Sequence, residues 1–117
     1  ELGAHGLTHA SLDSLDDTAL AGELSGSRRR LEDTLGKPVT IMTWPHGAAS
    51  RRAADAARAA GFVRAGCSLY GGNEPKREPL LLKRTEITAF DNETDFVSKA
   101  SGGWDWYALR QGDPAQR

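Results

Sequence analysis

His5 and His9 stand four residues apart in the segment His5-Gly6-Leu7-Thr8-His9, directly behind the strand-like opening Glu-Leu-Gly-Ala. Neutral imidazole is a common ligand for zinc and neighbouring divalent ions, and one helical turn or a compact loop can bring an i, i+4 pair onto a single ion. Zinc proteases use the same spacing but need Glu directly after the first His as general base. Here that residue is Gly6, so this protease type is set aside. The competing reading, two ordinary loop histidines, is not decided by spacing alone. The third histidine, His46, lies in Trp44-Pro45-His46-Gly47, again just past a short apolar run. Imidazole is the side chain most often used for proton donation near neutrality. Asp16-Asp17 is a carboxylate pair, but it opens a helix, where such charge complements the positive end of the dipole.

The elements that must position these groups follow from periodicity and punctuation. Ser14 with Asp17 resembles a capping box, and Leu20, Leu24, Leu31 and Leu35 recur at helical spacing before Gly36 and Pro38. That predicts a helix over residues 15–35. Residues 39–43, held between Pro38 and Pro45, read as a buried strand. Ser50 caps a second, alanine-rich helix through residue 60, Gly61 ends it, and residues 62–67 form the next strand. A Gly- and Pro-rich loop over 68–79 precedes a strand-like stretch over 80–88. Asp91 or Asn92 caps a last helix to about residue 100, with Phe96 and Val97 facing inward. Residues 104–109 dock on the core, and 110–117 form a disordered tail behind a domain over 1–109. Strand, helix, strand, helix, strand in that order argues for parallel strands with helical crossovers, an α/β fold.

Composition excludes several function classes. Lys and Arg total 15 against 16 Asp and Glu, which removes the basic footprint of a nucleic-acid binder. Apolar runs such as Leu80 to Leu82 fall far short of the ~20 residues needed to cross a bilayer. Cys67 is the single cysteine, so no internal disulfide can form, and its flanks Gly66 and Ser68 give no CxxC or metal-type spacing.

Three segments carry a family resemblance. Gly3-Ala4-His5-Gly6-Leu7-Thr8-His9-Ala10-Ser11-Leu12 resembles the second motif of NodB-type polysaccharide deacetylases, carbohydrate esterase family 4, where a strand ends in His-Ser/Thr-x-x-x-His or a close variant. Met42 to Gly47 is similar to the third motif, Arg-x-Pro-Tyr-Gly or an apolar branch of it. Leu82 to Thr88, followed by an acidic loop, a short helix and Gly102, resembles the end of the shorter members. The resemblance implies the C-terminal portion of an irregular (β/α) barrel and a hydrolase removing N-acetyl, less often O-acetyl, groups from a polysaccharide or peptidoglycan. It implies a divalent metal, zinc first, with cobalt and nickel also suited. His5 and His9 would be two of its ligands, alongside an aspartate. The His46 N–H would be an oxyanion donor, and Trp44, with Pro45 and Gly47, would line the acetyl pocket, the bland alternative for Trp44 being a core aromatic.

The departures bear on the same chemistry. The Thr-Phe-Asp-Asp motif that supplies the family's base and third ligand is absent, and it is expected upstream of Glu1. Thr43 and His46 stand where the third motif has Arg and Tyr, and the late Leu-x-His motif is missing. Arg84 could orient the missing aspartate or simply pair with Glu86, and the His46 side chain could act as the acid. The alternative from another class is a noncatalytic carbohydrate-binding module on the same fold. The resemblance leans toward a secreted or cell-envelope setting.

Overall fold

The computed structural model describes residues 1–115. Helix α1 spans Asp17–Leu35 and is capped by Asp16, whose side chain accepts from the Ala19 N–H at 2.8 Å. The cap thus falls two residues later than the Ser14 expected from sequence. A side-chain cap of this kind contributes roughly 1 kcal/mol. Leu20 and Leu24 are fully buried, Leu31 and Leu35 pack partly against the core, and Gly36 ends the helix with φ of 65°. Strand β1 spans Ile41–Thr43. Helix α2 spans Arg51–Ala59, with the Ser50 hydroxyl accepting from Ala53 N–H, and buries Ala53, Ala54 and Ala57. Strand β2 spans Arg64–Gly66.

The two strands pair in parallel, Met42 opposite Ala65. Single parallel bridges extend the sheet on each side, Ala4 to Met42 and Gly66 to Leu82. Four chain segments therefore lie side by side in chain order, all pointing the same way. The N–H of Ala4 donates to the Ile41 carbonyl at 3.0 Å, and that of Leu82 to Ala65 at 3.0 Å. The expected α/β arrangement is present, with Trp44, Phe62, Leu12, Leu80 and Leu81 filling its core. Burying each large apolar side chain stabilises the fold by roughly 1.5–3 kcal/mol.

Three sequence expectations are corrected. The strand over 80–88 is a short 3-10 turn, Pro79–Leu81, followed by the single bridge at Leu82. Beyond Leu82 the backbone leaves the sheet, and Arg84 N–H turns to the Leu69 carbonyl instead. Helix α3, Glu93–Ala100, is capped by Asn92 as expected, yet Phe96 and Val97 are 51% and 57% exposed. Its buried residue is Lys99, whose ammonium is held by Asp91 at 2.8 Å and lies 5.0 Å from the Trp104 ring centroid. That ion pair and the aromatic contact set which face of α3 turns inward. In the segment after it, Trp104 stacks on Tyr70, but Trp106 and Leu109 face solvent, so only part of 104–109 docks.

The 110–117 stretch expected as a tail begins within a last helix. Helix α4, Ala108–Gln111, is followed by Asp113, which pairs with Arg77, and Gln111 accepts from the Tyr70 N–H at 2.9 Å. Residues 116–117 of that tail lie outside the described residues. No helix among the described residues is long and apolar enough to cross a membrane.

Candidate functional site

Parallel strands that all point one way deliver the residues behind them to one edge of the sheet, where α/β proteins place their sites. His5 follows the Ala4 bridge, and Trp44 to Gly47 follow β1, the neighbouring segment. The three histidines meet there. Ring centroids of His5 and His9 are 4.9 Å apart, and those of His9 and His46 are 4.6 Å apart.

His5 is oriented by β1. Its Nδ1 lies 3.0 Å from the Thr43 carbonyl and 2.7 Å from the Thr43 hydroxyl. A hydrogen bond from Nδ1 to a carbonyl is the usual second contact of a ligating imidazole, and it leaves Nε2 for an ion. His46 reaches across to the other loop, with Nε2 3.3 Å from the His9 carbonyl. Both His9 and His46 hold left-handed backbone, with φ of 64° and 57°. All three side chains are exposed.

A fourth residue organises the loop and was missed from sequence. Glu23 of α1 accepts from the Leu7 N–H at 2.7 Å, the Thr8 N–H at 3.0 Å and the Thr8 hydroxyl at 2.6 Å. Burial pushes its pKa up, but the Thr8 hydroxyl and the two backbone N–H groups outweigh it, and the carboxyl sits below its ordinary value. The signal was present: Glu23 falls beside Leu20 and Leu24 on the buried stripe of α1, where an acid needs a polar partner.

The remaining expected site residues divide. Pro45 is buried under the His46 turn, and Gly47 presses on Ser68 of the next connection. Trp44 is 1% exposed and donates its indole N–H to the Leu80 carbonyl at 2.8 Å, which props the turn from behind. Arg84 lies across Gly66 and donates to the Cys67 carbonyl at 3.2 Å. No hydrogen bond or ion pair joins it to the histidines or to Glu86 among the described residues. A cavity of about 590 Å³ lined in part by Gly47, Ser50, Ser68 and Gln111 borders the same turn, and none of the histidines lines it.

As donors, two adjacent imidazoles with free Nε2 atoms fit a divalent ion, but they are a partial set. Among the described residues no group of three or more His, Cys, Asp or Glu side chains is arranged to hold one.

The chain is similar to known proteins in both sequence and fold. The sequence model described as polysaccharide deacetylase matches residues 1–65, the half that contains all three histidines. A polysaccharide deacetylase structure from Bacillus cereus is 24% identical, with a TM-score of 0.71 over 85% of this chain and 31% of its own. A Streptococcus pyogenes deacetylase solved in complex with acetate is 15% identical, with a TM-score of 0.76 over 83% of this chain and 43% of its own. A de-N-acetylase from Aggregatibacter actinomycetemcomitans is 22% identical, with a TM-score of 0.61 over 71% of this chain and 31% of its own. The chain thus spans under half the length of these structures, and its fold is part of their (β/α) barrel. No curated protein matches the sequence.

Proposed function

Because the chain belongs to the polysaccharide deacetylase family, we propose that it carries part of the active site of a metal-dependent hydrolase removing N-acetyl, or less often O-acetyl, groups from a polysaccharide or peptidoglycan. The observation that carries this reading is the meeting of His5, His9 and His46 at the ends of two neighbouring parallel segments. A third histidine brought in from a separate loop favours a shared task over a chance pair of loop histidines.

His5 and His9 would hold the metal, zinc first and cobalt or nickel as alternatives, with a third ligand from outside this trio. Such an ion supplies Lewis acidity, lowering the pKa of water and polarising an acetyl carbonyl. Thr43 fixes the His5 ring so that Nε2 is available. The His46 N–H is the oxyanion donor, and its imidazole, exposed beside His9, is the proton donor to the leaving amine. Pro45 and Gly47 shape the turn that carries both groups, and Arg84 stays a candidate to orient the aspartate.

Zinc content and acetate release from chitin oligomers or peptidoglycan, measured on the full-length protein, test the proposal. Wild type should retain zinc, and a His5→Ala, His9→Ala variant should lose it. His46→Phe should cut acetate release by roughly 10²–10⁴, the usual worth of a general acid. Turnover unchanged in His46→Phe would remove the acid role. Zinc bound without any acetate released would turn the reading into a noncatalytic carbohydrate-binding module.

A further inference from the structure

We propose that Glu23 is a positioning residue, holding the His5–His9 loop in the one conformation that brings the three imidazoles together. Among the described residues Glu23 makes no hydrogen bond to any of the histidines. It gathers the polar groups between two of them, the N–H of Leu7, the N–H of Thr8 and the Thr8 hydroxyl, onto one carboxylate fixed to a 19-residue helix. The loop is closed in from two sides at Gly6, where an added Cβ would lie 3.3 Å from Glu23 Oε2 and 3.4 Å from Pro45 Cγ. Pro45 begins the turn that bears His46. Glu23 therefore clamps the first histidine loop against the second.

The left-handed backbone of His9 gives the clamp its task. A non-glycine residue at φ of 64° is held there by its surroundings, since the free chain favours negative φ. The residue before it, Thr8, is the one fixed twice by Glu23. Releasing Thr8 would let His9 relax to ordinary backbone, and its ring would swing away from His5 and His46.

The inference rests on His5 and His9 being the ligand pair, yet its test separates the two questions. In the metal-free full chain, wild type should show cross-relaxation between the ring protons of His5 and His9, and of His9 and His46. Glu23→Ala should abolish both signals and weaken zinc binding, read by chelator competition, on the order of tenfold or more. Glu23→Gln should keep the ring signals and most of the affinity, because its amide oxygen can take both N–H groups while its NH2 donates to the Thr8 hydroxyl. Thr8→Val removes the hydroxyl contact alone and should fall between, which decides the matter if Glu23→Ala does not fold. Ring signals that survive in Glu23→Ala, or a Thr8→Val protein indistinguishable from wild type, overturn the role. A wild type that binds no zinc refutes the metal reading, while the ring signals still report on Glu23.

Discussion

Gly47→Ala should be far more damaging than its size suggests. Gly47 has φ of 67°, and a Cβ there would lie 2.5 Å from Ser68 Oγ and 2.7 Å from the Ser68 backbone N, with Ser68 Cβ nearer still. Two penalties add: left-handed backbone costs an L-residue roughly 1–2 kcal/mol, and overpacking against backbone costs roughly 1–3 kcal/mol. The expected loss is roughly 2–5 kcal/mol, a large share of a domain's roughly 5–15 kcal/mol. Gly36→Ala is the matched control, since Gly36 has φ of 65° but nothing within 4 Å of its added Cβ. It should lose only the backbone part. Urea unfolding of both variants gives the two losses, and their difference isolates the Ser68 contact. Adding Ser68→Gly to Gly47→Ala should restore part of that difference, because the side-chain atoms go while the backbone N stays. Equal losses for the two glycine variants would refute the claim that β1 and β2 connections meet here without a gap.

Two further outcomes follow from the same contacts. The hydrogen bond from Arg77 chiefly holds the Asp113 carboxyl below its ordinary value, against the opposing effect of burial. A depressed carboxyl stabilises above its unfolded pKa and loses that stabilisation as pH falls through the folded value, so the 111–115 segment should stay docked at neutral pH and come loose only in acid. Asp113→Asn should remove this acid step and cost roughly 1.5–3 kcal/mol at neutral pH, as read from thermal melts across pH. Trp44→Phe should lower stability by roughly 1–3 kcal/mol, because the Leu80 carbonyl loses its donor, while KM for an acetylated oligomer hardly changes. A clear rise in KM without loss of stability would instead make Trp44 a substrate wall.

Much of this molecule was legible because its signals are local. The Leu20 to Leu35 stripe, Gly36, Ser50 and Gly61 mark helix ends wherever they occur, and the parallel order follows from alternating elements. What escaped the sequence depends on partners far along the chain. Leu82 pairs with Gly66 for one bridge only, since the residues after it turn toward Leu69, and alternation alone does not reveal that. Phe96 and Val97 look like a core face of α3 until Asp91, Lys99, Tyr70 and Trp104 are seen to occupy the inner side. Glu23 escaped because its three bonds cross 15 and 16 residues.

The histidine trio shows why the site was easier to find than its support. His9 and His46 both sit at positive φ, where glycine would cost nothing in backbone strain and asparagine little. Histidine enters that conformation more readily than most L-residues but still at a cost, up to roughly 1–2 kcal/mol each. Two such residues facing each other across 4.6 Å therefore point to a demand made on the side chains, which composition and spacing can hint at. The means of meeting that demand is different in kind. It lies in Thr43 turning the His5 ring, Gly47 seated on Ser68, and Glu23 holding Leu7 and Thr8, all ordinary residues whose meaning comes only from what they touch.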